Sequence, residues 1–158
     1  MDESSIPLFQ ETGAFYVPTL ATYSALAARG RAFGLPEPSH KKVFDVLDSG
    51  VRALAMAHKA GIPIAFGTDL LGGMHEDQLS EFTLRAQVQP AADIIRSATV
   101  TGARLLRMEG RIGVIAPQAS ADLLVVDGNP LSDISVLVEP ERRLRLIMNR
   151  GQIVKDSL

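Results

Sequence analysis

The feature that most constrains the fold is a short apolar run that ends in a carboxylate. Ile62-Pro63-Ile64-Ala65-Phe66 is continuously apolar, and Gly67-Thr68-Asp69 follows it directly. A run of this kind, without alternating polar residues, is typical of a strand that is buried on both faces, as in a parallel sheet. In such sheets functional groups gather at the carboxyl ends of the strands, where Asp69 stands. The sequence therefore predicts an α/β fold.

A second apolar run completes a strand–helix–strand unit. Ala14-Phe15-Tyr16-Val17-Pro18-Thr19-Leu20 is predicted to be an earlier strand that Pro18 ends. Residues 39–60 carry apolar side chains every three or four positions, which predicts a helix with Ser39 as its cap and Gly61 at its end. In this βαβ order the two strands run parallel, and their carboxyl ends share one side.

The chain changes character after Gly110. Residues 112–115 are predicted to be extended, residues 121–127 to form a strand, and residues 143–148 and 152–154 to form a hairpin around Gly151. Residues 1–109 are therefore interpreted as an α/β domain and residues 110–158 as a small β domain.

Composition excludes several classes of protein. The 158 residues include 16 Lys and Arg, 18 Asp and Glu, and no cysteine, with a net charge of −2. This balance argues against nucleic-acid and anionic membrane partners, and the missing cysteines exclude disulfides and thiolate zinc sites. No apolar run approaches the roughly 20 residues of a membrane span. We expect a soluble protein, provisionally cytoplasmic because a longer parent could carry a signal peptide.

Asp69 is the strongest candidate for a functional residue. A carboxylate at a strand end could bind a metal ion or act as a general base, or it could simply stabilise a turn. His75, one loop later, could contact a substrate or hydrogen-bond within its loop. Tyr23 could reach a substrate at the same carboxyl ends of the strands, although a packed aromatic ring is the ordinary interpretation.

The other two histidines give no metal site of their own. No pair of histidines has the spacing of an HxH or HExxH motif, so a self-contained histidine site is not expected. His58 lies on the apolar stripe of the predicted helix and is expected to be packed or half-exposed, whereas His40 is expected to be solvated.

Taken in order, these motifs resemble the metal-dependent amidohydrolase superfamily. The nearest branch contains imidazolonepropionase-like enzymes and Xaa-Pro and Xaa-Arg dipeptidases. The resemblance rests on both apolar runs, on the helical segment with Ser97-Ala98-Thr99, on the stretch from Gly113 to Leu131 and on the final hairpin. It implies the C-terminal portion of a (β/α)8 TIM barrel, its last two βα units, followed by part of a small β-sandwich.

The resemblance also implies a function. The reaction would be hydrolysis of an amide or other C–N bond, possible substrates being small-molecule amides or dipeptides, with a divalent metal, expected to be zinc, as cofactor. Asp69 matches the last-strand aspartate and would be both catalytic residue and metal ligand, and His75 and Tyr23 would contact the substrate. Gln118 stands where the family usually has glycine, which concerns a turn.

The remaining metal ligands of the family have no counterpart in these residues. The HxH motif, the bridging lysine and the two middle-strand histidines are missing. We therefore expect a C-terminal fragment that binds no metal stably and is inactive alone.

The alternative is a non-catalytic remnant or a partner-dependent interaction module. Two parallel strands leave both edges open, and the family buries Phe15, Leu20, Ile64 and Phe66 from both sides, so self-association or a partner chain is expected.

Overall fold

The computed structural model describes all residues, 1–158, and divides into two compact units, Met1–Gln89 and Pro90–Leu158. It combines helices with a three-stranded antiparallel sheet, and no helix is both long and apolar enough to cross a membrane. The helices are α1 (Ile6–Thr12), α2 (Leu20–Arg29), α3 (Glu37–Lys59), α4 (Ser80–Arg85), α5 (Ala91–Ala98), α6 (Val100–Leu105) and α7 (Pro140–Arg143). The strands are β1 (Leu123–Val126), β2 (Leu144–Asn149) and β3 (Gln152–Asp156), and 3₁₀ turns occupy Glu3–Ser5, Gly72–Asp77 and Ile134–Val138.

The two apolar runs of the first unit lie side by side and parallel, as predicted. The amide of Tyr16 donates to the carbonyl of Pro63 at 2.9 Å, and the amide of Ala65 donates to the carbonyl of Tyr16 at 3.0 Å. Only this single parallel bridge forms, because Pro18 and Pro63 have no amide hydrogen to extend the ladder. Leu20 begins α2 instead of ending a strand.

The helix that joins the two runs begins earlier than predicted. Its N-cap is Pro36, and Pro38 lies in the first turn, where no amide hydrogen is needed. Ser39, the predicted cap, is therefore inside α3, and that prediction was wrong. Gly61 follows the helix with a φ of 69°, the left-handed conformation in which many helices end.

Side chains of α2, α3 and the second run form the core of the first unit. Leu20 and Ile64 are only 1% and 7% exposed and pack with Leu54. The chain itself therefore covers two of the four strand side chains that were expected to need an outside partner. Phe15 and Phe66 are half-buried.

A buried ion pair joins the ends of both runs. Glu81 and Arg85 stand one turn apart on α4 and are completely buried, with Arg85 Nε 2.7 Å from Glu81 Oε1. Arg85 Nη2 donates to the carbonyl oxygens of Pro18 at 2.9 Å and Ala65 at 3.1 Å. The second oxygen of Glu81 accepts the amide of Ala21 at 2.7 Å. One side-chain pair thus ties both runs to the first turn of α2.

Aromatic rings complete the surroundings of this pair. The guanidinium of Arg85 lies 4.7 Å from the ring centroid of Phe66, which is 4.5 Å from that of Phe82. Burial raises the pKa of the Glu81 carboxyl, whereas Arg85 and the amide of Ala21 act to lower it. Buried charges persist only where partners compensate for lost water, and these contacts provide that compensation.

In the second unit the predicted hairpin is confirmed. The sheet order is β1–β2–β3 with antiparallel pairing throughout. Arg150 and Gly151 have φ values of 49° and 78°, which suits the turn type that matches strand twist in two-residue hairpins. Residues 112–115 were predicted to be extended, but the chain bends at residues 112–114, so that prediction was wrong. The domain boundary predicted between residues 109 and 110 stays a prediction.

Breaking the buried pair should be costly. Replacing Arg85 by Met leaves the Glu81 charge buried and removes a donor from two carbonyl groups, so we expect Arg85→Met to lower the free energy of unfolding by about 3–5 kcal/mol. Urea denaturation measures the difference. Lys41→Met removes a cation of the same i,i+4 spacing from an exposed pair and should change stability by less than about 1 kcal/mol. Equal losses in both variants would contradict the structural role of Arg85.

A second prediction concerns Gln118, which has a φ of 69°. A side chain in the left-handed region costs roughly 1–2 kcal/mol, so Gln118→Gly should raise the thermal midpoint despite the added freedom of the unfolded chain. The opposite change, Gly113→Gln, should lower the thermal midpoint. At Gly113 φ is 74°, and a Cβ would lie 2.7 Å from backbone atoms of Thr99. A Gln118→Gly variant that melts earlier than the parent would overturn this account of the turn.

Candidate functional site

The carboxyl ends of the two apolar runs lie on the same side of the first unit. We call this side, which includes Thr19, Thr68 and Asp69, the rim. A Cβ on Gly67 would lie 2.7 Å from Val17 Cγ1 and 3.9 Å from Thr19 Cγ2, so only glycine permits this approach. The hydroxyl of Thr22, in the first turn of α2, donates a hydrogen bond to the carbonyl of Thr68. The predicted parallel order therefore holds, and the two runs end on the same side.

Asp69 follows Thr68 in a strained conformation. Its φ is 50°, a left-handed value that aspartate tolerates better than most residues. The side chain is exposed, whereas the next residue, Leu70, is buried against Ala21, Ala25 and Met74. The turn thus directs Leu70 inward and leaves the Asp69 carboxylate accessible to solvent. Strained residues at strand ends are frequent at functional sites.

His75 stabilises the loop that follows Asp69. Its Nε2 lies 2.7 Å from the carbonyl oxygen of Leu70, and since a carbonyl only accepts, Nε2 carries the hydrogen and donates it. In the neutral ring Nδ1 is then an acceptor. The loop-stabilising interpretation of His75 is thus observed, and its contact with a substrate stays a prediction.

Arg29 holds the other end of the same loop. Its guanidinium pairs with both Glu76 and Asp77 and lies 5.8 Å from the ring centroid of Phe33. The hydrogen bond to Glu76, together with the contact with Asp77, raises the pKa of Arg29 above the usual value for arginine. The 3₁₀ turn Gly72–Asp77, which carries His75, is therefore anchored to α2.

Two half-buried tyrosines, Tyr16 in the first apolar run and Tyr23 on α2, interact with each other. Tyr23 is close enough to Tyr16 to influence its ionisation. Burial raises the pKa of the Tyr16 phenol, and Arg85 opposes the shift. The sequence interpretation missed the Glu81–Arg85 pair. The i,i+4 spacing of the pair was a usable signal, but exposed helix faces carry the same spacing.

The side chains of this chain do not form a metal site by themselves. No group of three or more His, Cys, Asp or Glu residues comes together in the structure, and a catalytic zinc takes about three protein ligands. His58 is half-buried, as expected. His40 is also half-buried and donates from Nε2 to the carbonyl of Ala27 at 2.9 Å. The expectation that His40 is solvated was therefore wrong.

Solved structures resemble the chain along nearly its full length. A prolidase in complex with N-methylphosphonate-L-proline is 46% identical with a TM-score of 0.92, and the match covers 99% of this chain and 38% of that one. A Xaa-Pro dipeptidase with methionine bound in its active site is 32% identical with a TM-score of 0.84, over 98% of this chain and 38% of that one.

A curated relative gives the same picture. Ochratoxinase from Aspergillus niger is 30% identical over 142 residues, which is 89% of this chain and 29% of the enzyme. The chain thus spans well under half the length of the relatives it matches.

The sequence profile of the amidohydrolase family matches residues 3–154. This match takes in both apolar runs, the Asp69 turn and most of the β-sheet. The chain belongs to the amidohydrolase family.

Proposed function

We propose that the chain is part of a metal-dependent hydrolase of amide or other C–N bonds, with dipeptide-like substrates. The observation that carries the proposal is the exposed Asp69 carboxylate at the shared carboxyl end of two parallel runs. Likeness to a prolidase and a Xaa-Pro dipeptidase supports a small peptide-like substrate. In this proposal residues 1–109 are the last two βα units of a (β/α)8 barrel, and residues 110–158 are part of a β-sandwich.

Asp69 is the proposed catalytic carboxylate. A carboxylate at this rim can accept a proton from an attacking water molecule and deliver it to the leaving amine. It is also the one proposed metal ligand of the chain. Since these 158 residues do not make a metal site, the other ligands of the expected zinc belong to barrel segments outside them.

His75 and Tyr23 are the proposed substrate contacts. The Nε2–H of His75 is committed to Leu70, which fixes the ring and leaves Nδ1 as the atom that can accept a hydrogen bond from a substrate amide. Tyr23 projects from the helix that begins at the rim. Arg85 donates hydrogen bonds to the carbonyl oxygens of both Pro18 and Ala65, and these bonds hold the ends of the two apolar runs at a fixed separation.

A segment exchange tests the proposal. Residues 1–158 would replace the structurally equivalent 38% of the prolidase chain, and the chimaera should hydrolyse Xaa-Pro dipeptides when zinc is supplied. The isolated chain, which offers Asp69 as its only proposed ligand, should show no turnover with added zinc. Asp69→Asn in the chimaera should reduce kcat by about 10²–10⁴-fold, the contribution typical of an acid–base group.

The matched control is Asp45→Asn. Asp45 is an exposed carboxylate on α3, and its removal should leave kcat unchanged. A chimaera that hydrolyses dipeptides equally well with and without the Asp69 carboxylate would remove this residue from the mechanism. Zinc-dependent turnover by the isolated chain that Asp69→Asn abolishes would show that the chain needs no further ligands.

A second candidate function, a partner-dependent interaction module, is favoured by the sheet of the second unit. The order β1–β2–β3 leaves one free edge on β1 and another on β3. Large apolar side chains are exposed on both edge strands: Leu124, Val125, Ile153 and Val154. Open apolar edges are templates for pairing with another chain, so we propose self-association or a partner chain.

Light scattering tests self-association. The purified chain should scatter as a species larger than a 17.0 kDa monomer, and Val154→Lys should shift it toward the monomer because an edge lysine disfavours strand pairing. Leu131→Lys is the control, since Leu131 is similarly exposed, at 61% against 67% for Val154, but lies outside the strands. A compact monomer with strongly protected amides in hydrogen exchange would argue against the module.

A further inference from the structure

A cleft in the second unit shares no residue with the rim around Asp69. It has a volume of about 670 Å³ and lies between the segment from Met108 to Asp122 and the β2–β3 turn. Its apolar wall is formed by Met108, Ile112 and Met148, and its polar lining by Arg111, Gln118, Ser120, Asp122, Asn149 and Arg150. A concave surface with an apolar wall and few polar groups is the usual form of a small-molecule site.

The two arginines of the cleft form no ion pair. Arg111 and Arg150 share this with Arg107 and Arg145 of the same unit, whereas Arg96 pairs with Asp93 at 2.9 Å and Arg142 with Glu139 at 2.7 Å. Two cations that share a cleft with one carboxylate and form no ion pair favour an anionic ligand, since a guanidinium fits a carboxylate with two parallel hydrogen bonds.

The single carboxylate of the cleft is already engaged. Asp122 Oδ1 accepts the backbone amide of Arg150 at 2.7 Å. This bond, followed by one from the Ser120 hydroxyl, lowers the pKa of Asp122. Asp122 therefore stabilises the turn that presents Arg150, and the cleft retains an excess of positive charge.

Two side chains line the cleft at a cost in backbone energy. Gln118 and Arg150 are both non-glycine residues with positive φ, 69° and 49°. Glycine would relieve this strain but would bring no side chain to the cleft. Strained residues of this kind concentrate where a side chain contacts a ligand.

We propose that this cleft binds a small organic carboxylate. Arg111 and Arg150 hold the carboxylate group, Gln118 offers its amide as a further donor, and the apolar body of the ligand packs on Met108 and Met148. The site is independent of the proposed hydrolysis, because none of its residues belongs to the Asp69 rim.

Three probes separate the contributions to binding. Hexanoate carries both a carboxylate and an apolar chain, hexanamide is its uncharged counterpart, and inorganic phosphate is an anion without an apolar body. Ligand-observed saturation-transfer NMR on the full chain gives Kd for each. We expect hexanoate to bind more tightly than either other probe. Equal binding of hexanoate and hexanamide, or tighter binding of phosphate, would overturn the proposal.

Variants locate the site. Arg111→Gln and Arg150→Gln should each weaken hexanoate binding by about tenfold or more, the usual cost of a lost hydrogen bond to a charged group. Arg145→Gln removes the same charge from β2, outside the cleft, and should leave Kd unchanged. Gln118→Gly should weaken binding while it stabilises the fold. Equal weakening in all three arginine variants would mean a general charge effect and no site, and a single cooperative thermal transition would show that each variant is folded.

Discussion

Two carbonyl oxygens at the ends of two neighbouring runs need donors, and one guanidinium supplies both. Arg85 donates to Pro18 and Ala65, and Glu81 balances its charge while accepting an amide of α2. Water cannot take over these bonds, because both side chains are completely buried. The rest of the first unit depends on this pair, since the backbone hydrogen bonds between the two runs are otherwise limited to a single parallel bridge.

The pair also accounts for the geometry of the candidate site. With Pro18 and Ala65 held at a common guanidinium, Thr68 lies within reach of the Thr22 hydroxyl, and Asp69 follows at the exposed turn. The carboxylate itself needs no buried partner in this arrangement. Its position is determined by backbone contacts on one side and by the burial of Leu70 on the other.

Local patterns in the sequence were sufficient for part of this fold. The apolar spacing of α3, the run before Asp69 and the Arg150–Gly151 hairpin turn are each specified within a few neighbouring residues, and each was predicted. The burial of Glu81 and Arg85 was not predictable, because it depends on residues 20, 60 and 67 positions away and the same spacing serves exposed helix faces. Likewise, α3 begins at Glu37, two residues before the predicted cap Ser39, because Pro38 fits the first turn of a helix.

The place of Arg85 in the chain has a consequence for the order of folding. Tyr16 and Ile64 must come together across a long intervening segment before their single bridge forms, and closing such a loop costs entropy that few local contacts repay. The side chain that secures them lies still later in the sequence. During synthesis, therefore, α2 and α3 can form and pack as soon as they emerge, whereas the rim remains unassembled until α4 has left the ribosome.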